Sequence, residues 1–141
     1  MNNEGKRGIV QFVKFAVVGV SNTAVDWIVY FILTKSVLEN VADKPLAKSI
    51  SFIVAVLNSY IWNSSWTFKK EYSKTTRAGT SKVFLFGRFF VVSLIGWGVN
   101  YLVFKFTLSS VSEKDIVGLI FASGAATLWN FFANKFWTYK K

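Results

Sequence analysis

Asp26 is a carboxylate set inside a long apolar run, and the residues spaced around it are of the kind that can line a polar path through oil. Gly19, Asn22, Asp26 and Tyr30 recur at intervals of three and four, so a helix places them on one face. Ser93, Gly96, Asn100 and Phe104 form the corresponding face of a later apolar run. A charge at such a depth costs about 2.5 kcal/mol or more unless it faces water or a polar partner. Two readings stay open. Asp26 hydrogen-bonds a neighbouring helix, through Asn22 or Asn100, or it lines a polar pathway with Asn22, Asn100, Ser59 and Asn130. Gly19 and Gly96 favour close helix contact under either reading.

A second constellation gathers at one boundary of the apolar runs. Ser59 and Asn63 share a face of one run, and Ser123, Thr127, Asn130 and Asn134 share a face of another. Asn63 and Asn134 approach the level of Lys14, Arg88 and Lys135. Cations and amides at one depth can grip a lipid phosphate through charge-assisted hydrogen bonds. The plainer alternative is that these cations only reach out to the membrane surface. Trp66 with Phe68, and Trp137 with Tyr139, precede Lys-Lys pairs, the position of an interfacial aromatic belt.

Other chemistry is scarce. The chain has no cysteine, which excludes disulfides and thiolate metal sites. It has no histidine, which removes the usual general base and the commonest metal ligand. Of seven carboxylates, all but Asp26 fall in predicted loops or tails. No metal, no cofactor and no enzymatic activity are expected. No P-loop is present, so ATP is not the direct drive of any transport.

The elements that must position these residues are apolar helices. At 52% apolar and 18% aromatic residues, the 141-residue chain is too greasy for an ordinary soluble domain. A helix needs about 20 residues to cross a hydrocarbon core of about 30 Å. Four windows qualify, near 12–33, 46–67, 84–106 and 116–137. None reads as a cleavable signal peptide, because the first is too long, carries Asp26 and has a downstream twin.

That twin belongs to an internal duplication. A shift of 74 lays Phe12, Phe15, Val17, Val18, Val25 and Val29 on Phe86, Phe89, Val91, Val92, Val99 and Val103. It also pairs Lys14 with Arg88 and Asp26 with Asn100. A shift of 71 lays Asn63 to Lys70 on Asn134 to Lys141. The expected fold is an all-α membrane protein with four transmembrane helices, arranged as two parallel-related helical-hairpin repeats in one domain. Repeat 1 covers about 9–70, a linker 71–82 divides the halves, and repeat 2 covers about 83–141. Because each repeat crosses twice, a pseudo-twofold axis along the membrane normal should relate them. Residues 1–8 read as a frayed tail. Asp43-Lys44-Pro45 and Ser112-Glu113-Lys114-Asp115 read as capped helix starts.

The net charge of +10 is distributed unevenly. Both tails, the linker and their flanks hold twelve Lys and Arg residues. The opposite side holds five, Lys35, Lys44, Lys48, Lys105 and Lys114, diluted by Glu39, Asp43, Glu113 and Asp115. Basic short loops stay in the cytoplasm, so both termini are expected inside a multi-pass protein of the cytoplasmic membrane. The asymmetry matches anionic membrane lipids as partners and gives no ground for nucleic acid.

Phe12-Val13-Lys14-Phe15 leading into Val18-Gly19-Val20-Ser21-Asn22 and Asp26 resembles the GtrA-like family, as does the doubled Asn-x-x-Trp-Thr-Phe/Tyr before lysines. The resemblance runs from about residue 12 to 139. It implies four crossings and a role in cell-surface polysaccharide synthesis. Such proteins are thought to flip polyprenyl-phosphate-linked sugars, undecaprenyl phosphate glucose among them, beside a membrane glycosyltransferase. The repeats differ at Ser59-Tyr60 against Asn130-Phe131 and at Asp26 against Asn100, so they need not be equivalent. Competing readings are a non-transporting anchor for that glycosyltransferase and a small cation or drug exporter. The exporter fits the intramembrane acid but not the strong charge asymmetry. A homo-oligomer is also compatible with so small a unit.

Overall fold

Apolar periodicity gives helices throughout the computed structural model, which describes residues 3–36, 44–111 and 115–140. The helices are α1 (Asn3–Ser36), α2 (Lys44–Trp62), α3 (Lys69–Arg77), α4 (Lys82–Ser110) and α5 (Asp115–Ala133). Wider π-helical turns, Asn63–Thr67 and Asn134–Thr138, finish α2 and α5. The chain divides into two compact units at Lys69/Lys70.

In the first unit α1 and α2 pair antiparallel. Gln11, Phe15 and Val18 on α1 are buried at helical spacing, and Ala47, Ser51 and Ala55 on α2 are buried one turn apart. Small residues on the α2 stripe let the helices approach closely, which is how packing is gained where lipid removes the hydrophobic drive. In the second unit Leu85, Phe89, Val92 and Gly96 form the α4 stripe. Gly118 and Ala122 take the small-residue places on α5.

Most large apolar side chains face outward, among them Val20, Trp27, Ile28, Trp97, Leu102 and Phe121. Such continuous apolar surface is untenable in water. Three spans among the described residues are long and apolar enough to cross a membrane: Asn3–Ser36, Lys82–Ser110 and Val117–Thr138. This is a membrane protein. The α2 helix is not one of the three, since Lys48, Ser49, Ser51, Asn58 and Ser59 dilute its apolar content.

Three sequence expectations need correction. Residues 1–8 are not wholly a frayed tail, because α1 starts at Asn3 despite Gly5 and Gly8. An established helix gains one hydrogen bond per residue as it extends, and Glu4 complements its N-terminal dipole. The stretch 71–82 is not an open linker, since most of it belongs to α3. That helix is pinned by Thr75 Oγ1, which donates to the Tyr139 carbonyl at 3.1 Å, and by Tyr72 packed edge-on to Tyr139. It closes with Gly79 at φ 95°, where Gly79 N–H and Thr80 N–H return to the Thr76 and Thr75 carbonyls. Finally, α4 starts at Lys82, ahead of Phe84, because the Ser81 hydroxyl accepts the Phe84 N–H at 3.1 Å. The proposed caps at Asp43 and at Ser112 to Lys114 lie outside the described residues.

Close packing in the second unit centres on Gly96. A Cβ there would stand 2.7 Å from Asn130 Oδ1 and 2.8 Å from its Cγ. Gly96→Ala should therefore cost about 1–3 kcal/mol, the usual range for overpacking. Gly87→Ala, with open space around it, should cost little. Thermal unfolding of the detergent-solubilised protein checks the pair, and equal melting temperatures would contradict the packing described.

Candidate polar sites of the two hairpins

Asn63 and Asn134 open the π-helical turns. Asn63 Nδ2 donates to the Ser59 carbonyl at 2.9 Å and to Ser59 Oγ at 3.2 Å. Asn134 Nδ2 donates to the Asn130 carbonyl at 2.8 Å, and Thr138 Oγ1 donates to Asn134 Oδ1 at 2.8 Å. A side-chain amide that bonds the carbonyl four residues back competes with the helical ladder. The last turn widens, and the N–H groups of Phe68 and Tyr139 reach the Asn63 and Asn134 carbonyls at 2.7 and 2.9 Å. Phe68 and Tyr139 are then tucked in against Phe15 and Phe89, with ring centroids 6.1 and 6.5 Å apart.

Each turn brings a tryptophan beneath a cation of the preceding long helix. Lys14 Nζ lies 5.1 Å from the Trp66 ring centroid. Arg88 lies 5.3 Å from that of Trp137 and 4.8 Å from that of Phe84, and its Nη1 donates to the Trp137 carbonyl at 3.1 Å. Lys135 stands over Phe131 and Phe136 at 5.4 and 5.8 Å. So Lys14 is gathered with Trp66 in the first unit, and Arg88 with Trp137 in the second. The side chains of Asn63 and Asn134 are fully buried within their turns. Trp66 and Trp137 remain exposed, as interfacial residues do.

Higher in the first unit, Asp26 meets α2. Lys48 Nζ pairs with Asp26 Oδ2, and Ser51 Oγ donates to Asp26 Oδ1 at 2.7 Å. The ammonium lies 6.0 Å from the Tyr30 ring centroid. The acid's neighbouring-helix partners are therefore Lys48 and Ser51, where the sequence reading named Asn22 or Asn100. Lys48, counted with the residues of the opposite side, lies inside α2. The signal was available, since a helix start at Asp43-Lys44-Pro45 already puts Lys48 about one turn in.

The remaining pathway residues are placed as follows. Asn22 is partly buried, and its Oδ1 has no hydrogen-bond partner among the described residues. Asn130 Nδ2 donates to the Ala126 carbonyl at 3.0 Å, while its Oδ1 is buried with no partner among the described residues. Asn100 is partly buried on α4, and Ser59 Oγ is the acceptor already described. Gly96 makes the close helix contact expected of it, but Gly19 has nothing within 4 Å of a Cβ position.

Residues 14–139 match the family described as GtrA/DPMS, transmembrane domain. The chain belongs to the GtrA/DPMS family. It is also 28% identical over 126 residues to the uncharacterized membrane protein YngA of Bacillus subtilis (strain 168), covering 89% of this chain and 77% of that one. Family membership suggests a role in handling lipid-linked sugars. The matched region begins at Lys14 and ends at Tyr139, so it takes in both cation–tryptophan pairs.

Arg88 gives this GtrA/DPMS chain a direct test of those pairs. Arg88→Lys keeps a cation over Trp137, as Lys14 stands over Trp66, and should cost under about 1 kcal/mol. Arg88→Ala also loses the bond to the Trp137 carbonyl and should cost about 1–2 kcal/mol. Thermal unfolding distinguishes them, and equal losses in the two variants would contradict a role for the charge.

Proposed function

We propose that the protein flips a polyprenyl-phosphate-linked sugar, of the undecaprenyl phosphate type, across the cytoplasmic membrane for cell-surface polysaccharide synthesis or glycosylation. In this reading α2 with its π-helical turn makes a fourth crossing, the two hairpins are like-oriented repeats, and both termini face the cytoplasm. The observation that carries it is the twin placement of Lys14 and Arg88 on the tryptophans of matching turns. Two cations presented at the aromatic boundary suit a phosphate that arrives at headgroup level.

The division of labour follows from the bonding of each group. Lys14, Arg88 and Lys135 collect the phosphate, while Asn63 and Asn134 hold the turns that present the tryptophans. Deeper in, unpaired sugar hydroxyls would cost a few kcal/mol each in hydrocarbon. Asn22 Oδ1 and Asn130 Oδ1 are acceptors with capacity to spare for such hydroxyls. Asp26, Asn100 and Ser59 complete the polar pathway, and the polyprenyl tail stays in lipid. The lipid gradient supplies direction.

The accessory reading, an anchor for a membrane glycosyltransferase, draws support from α3. Its Lys69, Lys70, Lys74 and Arg77 are exposed opposite the buried Thr75, a basic face open to a partner. The two readings part in a reconstituted system. Purified protein in vesicles should speed leaflet exchange of a fluorescent undecaprenyl phosphate glucose. Lys14→Ala with Arg88→Ala should slow it roughly tenfold or more, as expected for losing charge-assisted contacts. Wild-type rates in the double variant contradict the phosphate assignment. No exchange by the wild type, with surface glycosylation still dependent on α3, favours the anchor.

A further inference from the structure

The ion pair of the first hairpin has no counterpart in the second. Shifted by 71, Lys48 and Ser51 become Leu119 and Ala122, and shifted by 74, Asp26 becomes Asn100. Ser51 and Ala122 are both fully buried, so the two seams pack alike with and without the charges. A hairpin of this kind does not need an ion pair to close. The presence of charge at these matched positions in one half only calls for a use beyond packing.

The two partners are unequally enclosed. The Asp26 side chain is 17% exposed, while that of Lys48 is 55% exposed. If the ammonium leaves, the carboxylate keeps the Ser51 hydroxyl. An ammonium carries three N–H donors in all directions. Lys48 is thus a cation parked on an internal acid with an open side. Along α1, Lys14 and Asp26 are twelve residues, or about 18 Å, apart. That places cations at two well-separated levels of the same hairpin.

We propose that Lys48 is a second anion site, for the phosphate of a lipid headgroup, with Asp26 as the counter-ion that positions it. The carboxylate holds the ammonium until a phosphate competes for it, and takes it back when the headgroup leaves. This deepens the flipping reading by supplying the station opposite Lys14, and it makes Asp26 a positioning residue.

Binding, separate from flipping, provides the test. The full chain in detergent is titrated with undecaprenyl phosphate and, in a parallel arm, with phosphatidylglycerol, and bound lipid is counted by native mass spectrometry. Lys48→Gln should weaken binding roughly tenfold, the loss expected for one charge-assisted contact. Asp26→Asn should tighten it, because the internal competitor is gone, and the double variant should behave as Lys48→Gln does. Lys35→Gln should match the wild type. Preference for undecaprenyl phosphate identifies the cargo as the source of the phosphate. Equal binding of both lipids supports the site and assigns it to bulk anionic lipid. The proposal is overturned if Lys48→Gln binds as the wild type does. It is equally overturned if Asp26→Asn weakens binding and the double variant restores it, the signature of a purely structural pair. Should Lys48→Gln not fold, Lys48→Arg with Asp26→Asn decides, since retained binding in the first and tighter binding in the second are both required. Bound lipid that depends on Lys48 in a protein that does not flip lipid would defeat the transport reading and leave this site standing.

Discussion

Hydrocarbon offers no hydrogen bonds, so a polar group buried there is costly unless the protein satisfies it, and many side chains of the hairpins bond back onto their own helices. Backbone groups are paired by the helices. Hydroxyls fold back onto their own helix: Thr34 onto the Tyr30 carbonyl, Ser93 onto Phe89 and Thr107 onto Val103. The Trp129 indole N–H finds the Val92 carbonyl across the second hairpin at 3.1 Å. The side-chain N–H groups of Asn63 and Asn134 likewise bond back onto their own helices where the last turn widens, while Asn63 Oδ1 has no partner among the described residues. That distortion is what brings Trp66 and Trp137 under Lys14 and Arg88.

The same demand is met differently in the two hairpins. The first partly encloses a carboxylate, which Lys48 and Ser51 hold. The second has an amide, Asn100, and apolar residues opposite, so no charge is engaged at that level.

Much of this was legible in the residues. Apolar runs gave the long helices, the family resemblance emerged from short repeated motifs, and the Lys14/Arg88 equivalence was visible before any geometry. What was not legible depended on side-chain choices. Nothing in Asn63 or Asn134 as letters distinguishes an amide reaching toward a ligand from one bonding its own carbonyl. The antiparallel register that sets Lys48 beside Asp26 is a tertiary fact. The polar stretch after Lys69 concealed α3, whose Thr75 and Tyr72 show their purpose only once Tyr139 is packed against them.

If these hairpins keep a water-accessible polar path inside the bilayer, thiol labelling measures it most directly, because the sequence has no cysteine. Single cysteines are introduced by Asn22→Cys and Asn100→Cys, with Val20→Cys and Leu102→Cys as lipid-facing references, and probed in intact membranes with a charged thiol reagent. The account predicts that Asn22→Cys and Asn100→Cys are modified while the references are not. Equal silence at all four positions would contradict it.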